Sequence, residues 1–567
     1  MVREHVRSSG PKTEVPLRPP SEVMRLDRMG SAFPTRISFL RTLLRRLARE
    51  DWKVSRPMWE FGRDGFGTGV YTIRGPEHTY SLVCFSQFID PARRTDRVIA
   101  EEWDVAFTLV DGEPSAEDIV RQRETVPKQE AGRFSPKELV ISRANKSVRL
   151  FEHCVERLSA GRQPDAEMLG SVGYLMRTTA VYGNGKFGVA DRDKTYMRPE
   201  LAGPFQAEML TVWLIRNFTF DLLDHVAAAC GGSAAVALAP EWRQFLGVGN
   251  ATGLGMAPFL HSHPVLIHNW FVARETAIAR VKAMEQATEN EAAAFHSLIE
   301  QVRRHVDQWH VADPVQSARI VTLSKELPEI AAAATDVLAG PFPWQILAAR
   351  TEKMSLEAQE LVLSLILEPY GEHIDELADT MATTEAMHLE PAMPISELRQ
   401  IIDEHYDWAL EIDFGEPDEQ ARFWYVSEEK LEPRLGERFD EQGSDLEQPL
   451  HVARDVQVLA TELAATTADE SIAVFLAGRP QHRHTVRRIQ TVAHHPYGEI
   501  RDNLISARMR PIDMLRCKLA FFGACKFDPK SDRWTRIALY QGVPTPATLT
   551  VESAEDNTFA VQPSGGN

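Results

Sequence analysis

The sequence contains few cysteines and no cysteine pair of the CxxC type. Its five cysteines are widely separated along 567 residues: Cys84, Cys154, Cys230, Cys517 and Cys525. An odd number of isolated cysteines argues against a disulfide framework and against a thiolate zinc site. We therefore expect a reducing compartment, and we predict a cytoplasmic location.

Long apolar runs are also missing. No segment approaches the roughly 18 uninterrupted apolar residues that a membrane-spanning helix needs. The first twenty residues, MVREHVRSSGPKTEVPLRPP, have no apolar core of the kind found in signal peptides. Both absences predict a soluble protein that has no membrane partner.

The chain has fewer basic than acidic residues. The chain has 63 Lys and Arg against 81 Asp and Glu, which gives a formal net charge of −18. Binding to nucleic acid or to an anionic membrane surface needs a basic face that replaces counterions. We therefore predict no nucleic-acid partner, while a local basic site stays compatible with this charge. The sequence assigns no cofactor and leaves a homo-oligomer open.

The composition indicates several compact units, since 43% of the 567 residues are hydrophobic. Residues 1–33 are rich in Pro, Ser and Arg and are predicted to form a disordered arm. Residues 34–145 begin with the helical pattern FLRTLLRRLARED and continue with β-rich segments such as GVYTIRG and TYSLVCFSQF. This pattern predicts an α+β fold whose N-terminal domain contains an antiparallel sheet.

The chain after residue 145 is predicted to be mainly helical. An apolar stripe between Pro204 and Gly231 is typical of a helix, and a longer periodic stretch predicts a helix over 265–309, in which the polar ATENE segment is a candidate bend or break. No segment between 150 and 400 alternates for long enough to predict a sheet. The expected units are a helical domain at 146–350, helical units at 351–445 and 446–550, and a flexible tail at 551–567.

One phrase occurs twice in this helical part. EPYGEHIDEL begins at Glu368 and HPYGEIRDNL begins at His495, and the related segments PISELR and PIDMLR follow in the same order. Coincidence is one interpretation, because helices that begin with proline use few residue types in their first turn. The other is duplication of a helix-turn-helix-strand unit. We favour duplication, which predicts that Pro369 and Pro496 begin matching helices.

The second copy is preceded by a run without acidic residues, from Ser471 to Gly498. On a helix, four side chains of this run form one polar stripe: Arg483, Arg487, Gln490 and His494. Guanidinium and imidazole groups along one face suit a carboxylate or a phosphate. Pairing with the acidic segment at 411–447 is the open alternative. We favour a small ligand.

A glycine-rich segment, LGVGNATGLGMAPFLHSHP, is a second candidate anion site. Gly249, Asn250 and Gly253 would offer backbone N–H groups in front of a helix that starts after Pro264. The segment matches no known nucleotide-binding loop, because it lacks the preceding strand and the later acidic residue of a dinucleotide fingerprint. A tightly packed loop between helices remains the open alternative.

Two histidines at the end of that segment, His261 and His263, are spaced as two metal ligands would be. A metal needs a third protein ligand, for which His494, His495 and Glu208 are candidates, but the sequence does not indicate that they converge, and we predict no metal site. Lys186 lies in YGNGKF and would carry an ammonium group for a substrate, although Asn184-Gly185 is a typical hairpin turn.

Together these features predict an enzyme that acts on a small anionic metabolite, carboxylated or phosphorylated, through acid–base chemistry of histidine. Imidazole gives and accepts protons near neutral pH, so the predicted catalytic residues are His261, His263, His484 and His494. The predicted substrate-binding residues are Arg483, Arg487, Lys186, Gly249, Asn250 and Gly253. The reaction is not assigned. The alternative is a non-catalytic scaffold or regulatory protein whose duplicated helical units bind a protein partner.

Overall fold

An N-terminal sheet followed by a mainly helical region makes up the fold, so the α+β class is confirmed. The computed structural model describes residues 16–88, 103–127, 135–183, 198–250, 263–381, 387–416, 423–426, 431–433, 446–449, 452–501, 516, 518–525, 527–529, 535–555 and 560–563.

Two sheets are present among the described residues. The strands are β1 (Lys53–Phe61), β2 (Gly67–Arg74), β3 (Thr79–Ser86), β4 (Val105–Asp111), β5 (Glu138–Lys146), β6 (Tyr174–Gly183), β7 (Gly247–Asn250), β8 (Phe423–Val426), β9 (Leu431–Pro433), β10 (Leu446–Pro449), β11 (Phe527–Pro529) and β12 (Thr535–Leu539). The larger sheet has the order β1-β2-β3-β4-β5-β6-β7-β12-β11, and the smaller has the order β10-β8-β9. From β1 to β6 the larger sheet is an antiparallel meander, and β7 then runs parallel to β6.

The helices of the first half of the chain are α1 (Pro20–Val23), α2 (Phe39–Arg49), α3 (Ala116–Thr125), α4 (Val148–Ser159), α5 (Ala166–Val172), α6 (Gln206–Gly231), α7 (Pro240–Phe245) and α8 (Pro264–Lys282). Those of the second half are α9 (Glu289–Asp307), α10 (Pro314–Val337), α11 (Pro343–Thr351), α12 (Leu356–Leu365), α13 (Gly371–Ile374), α14 (Ile395–His405), α15 (Asp407–Leu410), α16 (Val452–Ala464), α17 (Ile472–Gly478), α18 (Arg483–His494) and α19 (Val551–Glu555).

Both faces of the larger sheet are covered. Leu82 and Cys84 of β3 belong to the main core, whereas Val83 and Phe85 belong to a second apolar cluster that also contains Ile119 of α3. Side chains alternate between the two faces of a strand, so one face of the sheet packs on each cluster. Strands β2 to β5 are therefore buried on both faces, whereas β1 at the edge is largely exposed.

The long helix α6 packs on the inner face of the sheet. Phe218 of this helix is fully buried, and its ring lies 5.3 Å from that of Phe107 and 5.9 Å from that of Trp59, between centroids. Aromatic contacts of this kind add to the free energy gained by burying apolar area. The predicted end of the helix is also observed, since Gly232 follows it with a φ of 58°.

Part of the predicted disordered arm is packed into the core. Val23, Met24, Met29 and Phe33 are all fully buried. The prediction is therefore wrong for residues 16–33, because their Pro and Arg content masks well-spaced apolar side chains. Residues 1–15 lie outside the described part of the chain.

The predicted long helix at 265–309 is two helices, α8 and α9. Thr288 begins α9 with a capping box, in which its hydroxyl accepts from Glu291 N at 3.2 Å and the Glu291 carboxylate accepts from Thr288 N at 2.6 Å. This reciprocal cap satisfies backbone donors that a continuous helix would have used internally. The polar ATENE segment thus contains a helix start rather than a helix interior.

The sheet also crosses the predicted domain limits. Strands β6 and β7 lie in the region predicted to be helical, and β12 reaches the sheet from the unit predicted at 446–550. Ala538 of β12 pairs with Gly249 of β7. The sheet therefore extends beyond the predicted boundary at residue 145. β7 has only four residues and shows no alternation, whereas β6 has ten and joins the sheet through its pairing with β5.

The two copies of the repeated phrase differ in local structure. Pro369 lies in a 3₁₀ turn that leads into α13, whereas Pro496 lies in a non-helical turn after α18. The predicted pair of matching helix starts is therefore wrong, and the structure does not show the duplication. The end of the second copy and the sequence that follows it, 502–515, lie outside the described residues.

Candidate functional site

A cavity of about 930 Å³ lies between α2, the segment 368–379 and α19. Charged side chains form most of its wall. The ionisable lining residues are Arg36, Arg45, Arg46, Arg49, Glu50, Glu291, Glu368, Glu372, Asp375, Glu376, Asp379 and Glu555, together with Tyr370 and His373. A concave site with convergent polar groups is where a ligand is expected to bind.

The arginine wall is provided by α2, whose sequence is FLRTLLRRLAR. Its leucines at 40, 43, 44 and 47 are buried, which fixes the helix on the core. Arg41, Arg45 and Arg49 follow each other at intervals of four residues and therefore share another side of the helix. Arg41 and Arg45 are carried into the interior by this packing, and each is only 2% exposed.

Two carboxylates pair with two of the buried arginines. Glu368 accepts from both Nη atoms of Arg41, at 2.6 and 2.7 Å. Asp375 accepts from Arg36 Nε at 2.8 Å and from Arg36 Nη2 at 3.1 Å. Burial opposes ionisation of Asp375, but the neighbouring arginines, led by Arg45, hold its pKa below the usual range. Such forked pairs are stronger than hydrogen bonds between neutral groups.

Arg45 is a buried arginine with incomplete hydrogen bonding. Its Nη2 donates to the carbonyl oxygen of Arg36 at 2.8 Å and lies 3.2 Å from Asp375 Oδ1. Its Nε and Nη1 find no hydrogen-bond acceptor among the described residues. Burial and the nearby Arg36 lower the pKa of Arg45 to about 9, so the group stays charged at neutral pH. A buried guanidinium with unused donors favours an anion beside it.

Helix α19 brings a further carboxylate to this place. Glu555 Oε2 lies 2.7 Å from Arg36 Nη2, while Glu555 Oε1 lies 4.0 Å from Arg45 Nε. The Glu555 side chain is 40% exposed, whereas the two arginine side chains are almost fully buried. The sequence predicts a flexible tail over 551–567, and this is wrong for residues 551–555, because the buried Ala554 anchors a helix there.

Tyr370 and His373 line the same cavity. The Tyr370 hydroxyl accepts from Trp344 Nε1 at 2.5 Å, and burial raises the pKa of Tyr370 to about 12. His373 is exposed, and its backbone carbonyl accepts from Arg280 Nη1 at 2.7 Å. An imidazole in the wall of a cavity is placed to exchange protons with a molecule bound there.

Comparison of the chain with known proteins finds no matching family, no matching curated protein and no matching solved structure. Function is therefore inferred from the site itself. Among the described residues, no group of three or more His, Cys, Asp or Glu side chains is arranged to hold a metal ion. Within the same residues, no helix has the length and apolar content to cross a membrane.

The repeated phrase contributes to the cavity through its first copy. Gly371 leaves room for a guanidinium, because a Cβ at this position would lie 2.3 Å from Arg36 Nη2. In the second copy, a Cβ on Gly498 would lie 2.9 Å from the carbonyl oxygens of His495 and Pro264. Each glycine thus permits a close approach, but the approaching groups differ. The shared residues have local packing roles in both places.

The predicted polar stripe of α18 contacts the protein's own chain. Arg487 Nη2 donates to Met387 O at 2.5 Å, and His494 Nε2 lies 3.4 Å from Glu390 Oε1. Arg487, Gln490 and His494 therefore contact the segment 387–390, whereas Arg483 is exposed at the start of the helix. The small ligand predicted for this stripe stays a prediction.

His484 of the same helix is on the protein surface. Partial burial, followed by the positive charges of Arg488 and Arg487, lowers its pKa. Arg488 lies on the buried side of α18, where its Nη2 donates to Glu499 Oε1 at 2.9 Å. Tyr406 donates to the same carboxylate at 3.0 Å. This buried group is a structural ion pair, and the candidate imidazoles of α18 do not join it.

The glycine-rich candidate is also structural in the part that is described. Gly249 and Asn250 lie in β7, where neighbouring strands on both sides use the backbone for pairing. A Cβ on Gly249 would lie 2.7 Å from the ring of Tyr174, so glycine is required by packing. The prediction of a free anion-binding loop is therefore wrong for these two residues. His263 is half-buried at the start of α8.

Three predicted site residues, Lys186, Gly253 and His261, lie outside the described part of the chain. The cavity residues were missed because the leucines of α2 dominate its pattern. The sequence pattern that could identify them is the four-residue spacing of Arg41, Arg45 and Arg49 in a helix that also carries an apolar stripe. Guanidinium groups on a core helix require buried anionic partners, and such partners often form a site.

Proposed function

We propose that this protein binds a small anionic molecule, carboxylated or phosphorylated, in the cavity beside α2. The observation that carries the proposal is the state of Arg45, which is buried and has two nitrogen atoms without acceptors among the described residues. An unsatisfied buried donor costs about 1–3 kcal/mol, and more for a charged group. An anion that accepts these hydrogen bonds recovers this free energy when it binds.

The fixed position of the arginines adds to the affinity. Arg36 is held by Asp375 and Arg41 is held by Glu368, so these guanidinium groups are already oriented before a ligand arrives. A ligand that meets oriented partners loses little side-chain entropy on binding. The cavity is therefore prepared for an anion, whereas Arg487 and Gln490 of the α18 stripe already donate to carbonyl oxygens of the segment 387–390.

Replacing Arg45 with Met should weaken anion binding at least about tenfold, because one charge-assisted hydrogen bond contributes roughly 1.5–3 kcal/mol. Titration calorimetry with inorganic phosphate and with butyrate measures the change. The variant should also lose some stability, because methionine withdraws the donor that Arg45 offers to the carbonyl oxygen of Arg36, so circular dichroism checks folding.

Arg350→Met is the matched control. Arg350 forms an exposed pair with Asp336 and is not part of the cavity wall. Anion affinity should be the same in this variant and in the wild type. An Arg45→Met protein that binds both probes as tightly as the wild type would contradict the proposal.

Acid–base chemistry on the bound molecule would use His373, the histidine in the cavity wall. We propose this residue in place of the four histidines predicted from the sequence. Incubation of the protein with a metabolite extract, followed by mass spectrometry, tests whether an anionic metabolite is consumed. His373→Gln should retain phosphate and butyrate binding and should stop consumption. Equal consumption by the variant and the wild type would exclude this role.

The alternative of a scaffold that binds a protein partner lacks a supporting observation in the described residues. The structure does not show matching duplicated units, and much of the acidic segment, including 417–422, 427–430 and 434–445, lies outside them. Anion binding is the function with direct support from side-chain geometry.

A further inference from the structure

We infer that the cavity takes a molecule with a single carboxylate, which occupies the position that the Glu555 carboxylate holds in the structure. This inference rests on the proposed function and narrows its ligand from any small anion to a monocarboxylate. It also makes α19 a built-in competitor for that ligand.

The buried charges of the site favour a monoanion. Three guanidinium groups and two carboxylates face one another there: Arg36, Arg41, Arg45, Glu368 and Asp375. One positive charge is therefore unbalanced before Glu555 is counted. A monocarboxylate balances it, whereas a phosphate dianion would leave one negative charge in a poorly solvated place, where charge is costly.

The outer part of the cavity carries carboxylates. Glu372, Glu376 and Asp379 lie in its wall, where Glu376 pairs with Arg280 at 2.8 Å and Asp379 pairs with Arg46 at 2.8 Å. These carboxylates offset the positive charge of the outer arginines and tolerate a cationic group on the ligand. The ligand class is therefore a monocarboxylate, with amino acids among its compatible members.

Glu555 shows where the carboxylate goes and why a ligand can displace it. Its contact with Arg36 is a hydrogen-bond distance, 2.7 Å, but its 4.0 Å separation from Arg45 Nε is too long for a hydrogen bond. The side chain is attached to the five-residue helix α19, which limits its approach. An untethered carboxylate can contact both guanidinium groups. The Glu555 carboxylate and the ligand carboxylate therefore cannot occupy this position at the same time.

Glu555→Gln tests this competition. The variant should bind butyrate about tenfold more tightly than the wild type, because the competing carboxylate no longer occupies the site. Phosphate should bind the variant more weakly than butyrate does. Titration calorimetry measures both affinities. The double variant Arg45→Met, Glu555→Gln should not show this tenfold tighter binding of butyrate.

Glu552→Gln is the matched control, since Glu552 is exposed on the same helix and is not part of the cavity wall. It should bind butyrate like the wild type. Circular dichroism checks folding, and Glu555→Ala provides a second variant. The inference is overturned if Arg45-dependent anion binding persists but loss of Glu555 does not strengthen butyrate binding, or if phosphate is preferred. Absence of Arg45-dependent binding in both the wild type and the Glu555 variants would overturn the proposed function itself.

Discussion

Replacing Arg216 with methionine is expected to lower the free energy of unfolding by about 3–5 kcal/mol. Arg216 of α6 is 1% exposed. It donates to backbone carbonyls, with Nε to Leu246 O at 2.6 Å, Nη1 to Val543 O at 3.0 Å, and Nη2 to Arg243 O at 2.5 Å and Gln244 O at 2.7 Å. Three of these carbonyls lie at the C-terminal end of α7, where helical acceptors lack intrahelical donors.

Methionine fills much of the same volume but donates no hydrogen bond. The change removes a buried charge, which is favourable, but it withdraws donors from several buried carbonyls at once, and this second effect is larger. Chemical denaturation measures the difference. Arg350→Met, at an exposed pair with Asp336, should change stability by no more than about 0.5 kcal/mol. A similar small change for Arg216→Met would show that these carbonyls are satisfied in another way.

Glu360→Gln is expected to cost a similar amount, about 3–5 kcal/mol. Glu360 of α12 is fully buried and pairs with three arginines: Arg18 at 2.9 Å, Arg28 at 3.3 Å and Arg274. Loss of its charge leaves an excess of buried guanidinium groups, since the remaining carboxylate, Glu275, forms a forked pair with Arg18 and lies 3.8 Å from Arg274. Thermal and urea denaturation measure the loss.

Glu22→Gln is the control for this network. Glu22 lies 3.9 Å from Arg18 and is 41% exposed, so its removal should change stability very little. Equal losses for Glu22→Gln and Glu360→Gln would show that burial does not decide the strength of these pairs.

The same residue gives the stability a pH dependence. Burial opposes ionisation of Glu360, but its arginine partners, Arg18 first, lower its pKa in the folded protein. The contribution of ionised Glu360 to the free energy of unfolding is therefore complete above the unfolded-state pKa of Glu, about 4.3. It is lost as the pH falls through the lower pKa of Glu360 in the folded protein. Stability of the wild type should fall below about pH 4. The fall should be shallower in Glu360→Gln.

The sequence predicts those helices whose apolar stripe and end signals lie within the helix itself. The leucines of α2, the glycine that ends α6 and the amphipathic pattern of α18 each identify a helix that the structure contains. Periodicity succeeds here because the apolar stripe and the stop signal lie within one helix. The α+β class follows from the same local signals.

Long-range contacts could not be predicted in this way. Arg45 and Glu555 are far apart in the sequence, and no local pattern indicates that they meet. The run without acidic residues, Ser471 to Gly498, is evident in the sequence because it is contiguous. Its contact with a distant segment, in which Arg487 donates to Met387 O, is not evident there. Strand β7 was missed because four residues, two of them glycine, carry no alternation. In each case the partner residues, rather than the segment itself, determine the role.

The place of β12 in the sheet has a consequence for protein synthesis. β12 pairs with β7, so the free edge of β7 is completed only after Thr535–Leu539, which follow β7 at a long distance in the sequence, have left the ribosome. At about 5–20 residues per second, β7 waits roughly 15–60 s for this partner. An uncovered strand edge is a template for pairing with other chains. Nascent and prematurely terminated chains therefore share an aggregation-prone edge that the finished protein conceals, which makes chaperone binding during translation important for the yield.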